Sequence, residues 1–129
     1  MIQLSRFLRS MEGGRLGYFC QGCDMLHSVA IGEGAGPRWG YNGNPEKPTF
    51  TPSVRVSWDQ MSAAGRERNR QHYLEHGRYM TNEELAYDEH KVCHTFVRDG
   101  MVQFLPDCTH VLAGQTVPLP ELPAEWRDE

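Results

Sequence analysis

No stretch of this chain is apolar for long enough to cross a bilayer, which takes about 20 consecutive apolar residues in a helix, so a membrane span is not expected. The opening residues, Met1-Ile2-Gln3-Leu4-Ser5-Arg6-Phe7, lack a charged region followed by an apolar stretch and a small-residue cleavage site. They do not read as a secretion signal, and the expected compartment is the cytoplasm. Positive charge is also short. The net charge of −4 leaves no basic surface to neutralise phosphates, so general nucleic-acid binding is not expected. The one basic stretch, Arg66, Arg68 and Arg70, is interleaved with Glu67 and followed by Glu75, the pattern of a solvated helix face. Cysteine is sparse as well. Four cysteines in a reducing compartment stay free, bind metal or do chemistry, and seldom staple a fold.

What is present fits one small domain spanning residues 1–129. Apolar residues at 39% can form an interior, and 23% charged residues with a negative mean hydropathy favour solubility. Thirteen glycines and eight prolines cut the chain into short pieces, as in a β-rich fold with many turns. Strands are predicted at 17–20, 26–31, 38–41, 53–57, 92–98 and 101–105. Asp99-Gly100 between the last two is a strong hairpin signal. The segment 42–52 holds three prolines and reads as an ordered loop. Residues 60–76 read as a helix with Asp59 as N-cap and Gly77 as terminator. Thr81-Asn82-Glu83-Glu84 is a capping-box pattern, predicting a second short helix to about residue 90. The expected fold is therefore mainly β within the α+β class: a small antiparallel domain with a short helical insertion at about 60–90. The acidic, proline-rich tail beyond Pro118 reads as a surface-hugging or partly loose end.

The chemistry-bearing residues cluster by type. Cys20-Gln21-Gly22-Cys23 is a tight turn able to aim two sulfurs at one ion, with Gly22 permitting the turn. A second group comes from Cys93-His94 and Asp107-Cys108-Thr109-His110, at the two ends of the predicted hairpin. Adjacent Cys93 and His94 point to opposite faces of a strand, so only one reaches a given ion. Cys108 and His110 can share a face. The expected cofactor is zinc. The competing readings are a dithiol or two buried small hydrophobes. A thioredoxin-type redox motif would need a βαβ context, which is not visible here. His27 is an alternate ligand, a proton shuttle or a structural histidine. Asp107 either orients a ligating imidazole or simply starts a turn after Pro106.

His72-Tyr73-Leu74-Glu75-His76 matches H-x-x-E-H, in which two histidines one helical turn apart bind zinc and the glutamate acts as base. Enzymes of that kind are far larger and take a further ligand well downstream. With six histidines and many glutamates, a chance match on an exposed helix end is the favoured reading.

Several motifs in order, Cys20-x-x-Cys23-x-x-x-His27, Trp39-Gly40-Tyr41-Asn42-Gly43, Pro48-Thr49-Phe50-Thr51-Pro52-Ser53, Cys93-His94-Thr95-Phe96, Asp107-Cys108-Thr109-His110 and Ala113-Gly114-Gln115-Thr116-Val117, resemble a family of short phage and prophage proteins. These often carry the label "ammonia monooxygenase", which nothing in this chain supports. Related predicted metal-binding proteins accompany bacterial ubiquitin-like conjugation genes. The resemblance covers most of the chain except 60–90. In the family pattern the position of Cys108 can also hold serine, which favours His110 and implies a ligand set of Cys20, Cys23, Cys93 and His110, with Cys108 and His27 as alternates.

Two functions follow. The first expectation is a non-catalytic zinc module, a phage- or prophage-type accessory protein that binds a protein partner in the bacterial cytoplasm. The alternative is a zinc-dependent hydrolase, such as a peptidase or deconjugating enzyme, with His94 and Asp107 as its catalytic residues. That reading needs an open coordination position and a nearby base.

Overall fold

Alternation of side chains along extended backbone shapes the first sheet. In the computed structural model, which describes residues 2–128, β1 (Arg9–Met11), β2 (Arg15–Cys20) and β3 (Met25–Ala30) form an antiparallel meander. The β2–β3 register pairs Tyr18 with His27 and Cys20 with Met25. Tyr18, Cys20, His27 and Val29 are buried, while Phe19 and Leu26 on the other face are only partly covered. The hairpin loop between β2 and β3 carries Cys23, and Asp24 within it takes a left-handed φ of 55°.

The second sheet is a five-stranded meander of β4 (Gly40–Tyr41), β5 (Phe50–Gln60), β6 (Glu89–Arg98), β7 (Met101–Phe104) and β8 (Thr116–Pro118). Asp99 and Gly100 both have positive φ, 48° and 75°, and join β6 to β7 in a two-residue turn. That pair of angles is the type I′ turn whose twist matches the flanking strands. Along β6, Cys93, Thr95 and Val97 are buried while His94 and Phe96 are partly exposed, a period of two.

Two compact units divide the chain: residues 2–56 with 93–128, and Ser57–Val92. The first holds both sheet faces around one core, in which Leu8, Leu16, Tyr18, Cys20 and Val29 meet Phe50, Val54, Cys93, Val97, Val102 and Phe104. Full burial of side chains of this size contributes roughly 1.5–3 kcal/mol each. The tail belongs to this core. Leu119 and Leu122 are buried, and Leu122 N–H donates to the Arg6 carbonyl, so of the two expectations for the tail, surface-hugging or partly loose, it is anchored at these residues.

The second unit contains helix α1 (Ala63–His76) between the outer ends of β5 and β6. The expected N-cap, Asp59, lies inside β5. Ser62 caps instead, its hydroxyl accepting from Gly65 N–H at 3.1 Å, while Asp88 accepts from the Ser62 N–H and hydroxyl. Gly77 closes the helix at φ 73°, where a left-handed residue is needed. The expected second helix is absent. The Glu84 carboxylate accepts from the Thr81 N–H, one half of a capping box, and also from the Thr81 hydroxyl, but only a single turn follows before Glu89 enters β6. The predicted loop 42–52 is also shorter, because β5 begins at Phe50, and β1 and β8 were not foreseen. Among the described residues the architecture is β-rich, two antiparallel sheets and one α-helix, with a closing 3-10 turn at Ala124–Trp126.

Candidate active site and metal centre

The opposite facing of Cys93 and His94 separates two chemistries on one strand. On the outer face, Nε2 of His94 lies 3.0 Å from the Ser53 hydroxyl. Nδ1 of the same ring lies 3.1 Å from Oδ2 of Asp107. An ionised carboxylate only accepts, so Nδ1 carries the ring proton and Nε2 is left as acceptor for the serine O–H. Ser53, His94 and Asp107 therefore stand in the order of a nucleophile, a general base and an orienting acid. The imidazole is a quarter exposed, Asp107 about half, and Ser53 is half-buried.

Local sequence explains each placement. Ser53 sits on β5, and its carbonyl accepts from the Trp39 indole at 3.1 Å. Asp107 occupies a turn over Leu105-Pro106-Asp107-Cys108, closed by Cys108 N–H donating to the Leu105 carbonyl at 3.1 Å. Proline at the second position presets φ for that turn. Leu105 N–H in turn donates to the His94 carbonyl at 2.9 Å, which delivers Asp107 to the imidazole.

On the inner face, Cys20, Cys23, His27 and Cys93 each offer a ligand atom, and these atoms all lie within 4.8 Å of one another. Cys20 Sγ and Cys93 Sγ are 3.9 Å apart. Two sulfurs at 2.3 Å from a tetrahedral ion would be separated by about 3.8 Å. Nε2 of His27 is buried without a hydrogen-bond partner, an orphan that a metal would satisfy. Hydrogen bonds from Cys23 and then Cys93 drive the Cys20 thiol strongly downward. Donating to Cys20 raises the Cys23 thiol to about 12 and pushes Cys93 up as well. A thiolate among two further sulfurs is the electrostatic situation a cation resolves. This group can hold a metal ion.

His110, expected from the sequence as the fourth ligand, groups instead with Cys93 and Cys108. Its Nδ1 accepts from Leu112 N–H at 3.2 Å, and its Nε2, like that of His27, is buried without a hydrogen-bond partner. Cys108 accepts from His94 N–H and donates to the His94 carbonyl, both at 3.3 Å. Among the described residues, the H-x-x-E-H histidines are not part of a metal-ligand group. His72 faces the Arg78 carbonyl at 2.9 Å and Glu84 at 3.4 Å.

Residues 3–105 match the model of a family described as bacterial ubiquitination-like system serine protease, BubE. The chain belongs to this family. The match includes Ser53, His94, Cys20, Cys23, His27 and Cys93, and ends two residues before Asp107. No curated protein and no solved structure matches the chain. Membership ties the chain to bacterial ubiquitination-like systems and overturns the first functional expectation, a non-catalytic accessory module. That expectation weighed only metal-binding residue types, and a metal group on one face of β6 says nothing about the other face. The hydrolase alternative fits better. Sequence reasoning picked out His94 and Asp107 for a zinc-dependent hydrolase, and placed Ser53 on a strand and in a family motif without giving it a role. A serine has no spacing signature when its partners lie 41 and 54 positions downstream.

Proposed function

We propose that this chain is a serine protease of a bacterial ubiquitination-like system, with Ser53 as nucleophile, His94 as general base and Asp107 as the group that orients His94. The observation that carries the reading is the continuous contact from Asp107 through His94 to Ser53, at 3.1 and 3.0 Å, in a member of a family described as serine proteases. His94 takes the hydroxyl proton as Ser53 Oγ attacks the carbonyl carbon of the scissile amide. Asp107 keeps Nδ1 protonated and steadies the imidazolium. The ring then passes its proton to the leaving amine, the C–N bond breaks, and an acyl ester remains on Ser53. Water, deprotonated by the same ring, hydrolyses that ester and restores the serine. The substrate is a protein or its conjugate within such a system, so the partners are proteins, met in the bacterial cytoplasm.

The metal group takes zinc in this reading, held by Cys20, Cys23, His27 and Cys93. Three thiolates and an imidazole are a closed structural set with no position left for water. Zinc supplies cross-linking of the fold, and the bond cleavage belongs to Ser53.

The test is active-site labelling with a fluorophosphonate together with peptide hydrolysis. Ser53→Ala is expected to abolish labelling, and Asp107→Asn to slow turnover by about 10⁴-fold. Hydrolysis that survives Ser53→Ala but disappears on metal removal would instead establish a metal-activated water.

A further inference from the structure

His94 is gripped by two consecutive residues of one turn. Asp107 meets its ring, and Cys108 meets its backbone at both polar atoms. We propose that Cys108 is a positioning residue for His94, acting as a protonated thiol that clamps the strand from which the imidazole projects. The proposal rests on the serine-protease reading of Ser53 and His94.

Both hydrogen bonds go to one residue, which distinguishes a clamp from ordinary packing. The sulfur accepts from His94 N–H at 3.3 Å and its S–H donates to the His94 carbonyl at 3.3 Å. That carbonyl also accepts Leu105 N–H at 2.9 Å. The peptide units on either side of His94 Cα are thereby tied to the turn that carries Asp107. Any tilt of β6 at this point would be magnified at the far end of the ring, where Nε2 meets Ser53. Cys108 is itself buried, and its place is set by the Leu105–Cys108 turn. Each sulfur hydrogen bond is weak. Their value lies in orientation, because small misplacements of a reacting group carry large rate penalties.

The acceptor also separates Cys108 from the other three cysteines, because its thiol turns to a backbone carbonyl and theirs turn to one another. A metal ligand is a thiolate, whereas a thiol that donates to a carbonyl keeps its proton. Cys20, Cys23 and Cys93 converge with His27 on the inner side of β6, and Cys108 is spent on the backbone of His94.

The experiment compares wild type, Cys108→Ala, Cys108→Ser and Ser53→Ala as purified full-length protein. It measures the rate of fluorophosphonate labelling and bound zinc by elemental analysis. Cys108→Ala is expected to slow labelling by roughly tenfold with zinc per chain unchanged. Cys108→Ser, whose hydroxyl can still donate and accept, is expected to recover most of the rate with its zinc intact. Wild-type labelling in Cys108→Ala overturns the proposal, and so does loss of zinc in either cysteine variant, which would make Cys108 a ligand. If Cys108→Ala is insoluble, Cys108→Ser decides: retained zinc and labelling support the clamp, and loss of either overturns it. Labelling of Ser53→Ala at the wild-type rate would refute the nucleophile assignment itself, a result distinguishable from every cysteine outcome.

Discussion

A Cβ added at Gly22 would lie 2.3 Å from Cε1, 2.5 Å from Nε2 and 2.7 Å from Nδ1 of His110. No side chain fits against that ring, and the backbone at Gly22 is not left-handed, so the demand for glycine is steric. The sequence suggested a different reason, a turn between Cys20 and Cys23. Gly22→Ala is expected to lower stability by about 1–3 kcal/mol through overpacking. His110→Ala in the same chain should restore most of it, because the added methyl then occupies the vacated space. Thermal unfolding of the two single variants and the double variant measures this coupling. Additive losses in the double variant would show that the ring is not what Gly22 accommodates. The H-x-x-E-H residues supply a contrast. His72→Ala changes a side chain engaged only within the helical unit, with the Arg78 carbonyl and Glu84, so zinc content should stay at the wild-type value.

Elements follow local signals only where nothing longer-ranged competes. Asp99-Gly100 predicts its hairpin because a two-residue turn is settled by its own φ angles. Thr81-x-x-Glu84 makes one half of its capping box, with Thr81 N–H donating to the Glu84 carboxylate, yet the helix it announces does not form, since Glu89 and the residues after it pair in β6. The capping contact remains as a loop clasp. Thr81 N–H, then the Thr81 hydroxyl, then Arg78 hold the Glu84 carboxyl down to about 2. A carboxyl depressed by folding contributes above the ordinary carboxylate range and loses that contribution as pH falls through its folded value. Amide exchange at Thr81 should therefore be equally protected at neutral and mildly acidic pH, with protection lost only as pH approaches about 2. Loss of protection already at pH of about 4, the ordinary carboxylate value, would show the clasp to be absent in solution.

At the scale of the whole molecule, the proposed zinc ligands come from both sheets of the first unit: Cys20, Cys23 and His27 from β2, its loop and β3, and Cys93 from β6. An ion there joins the sheets across their core, so its binding free energy becomes part of folding free energy. Chelation, or Cys20→Ser, is expected to lower the melting temperature sharply and to remove fluorophosphonate labelling with it, as followed by calorimetry beside elemental analysis. An unchanged melting temperature after complete metal loss would remove the structural role. The β-rich class, the hairpin, the cysteine pair and the opposite facing of Cys93 and His94 were legible in the sequence. Each depends on residues a few positions apart, where backbone geometry alone sets direction. The meeting of Ser53 with His94, and the grouping of His27 with Cys20, Cys23 and Cys93, belong to the tertiary structure. Ser53 and His94 are 41 positions apart and carry no shared periodicity, so only the pairing of β5 beside β6 and the turn after β7 could bring Ser53, His94 and Asp107 together.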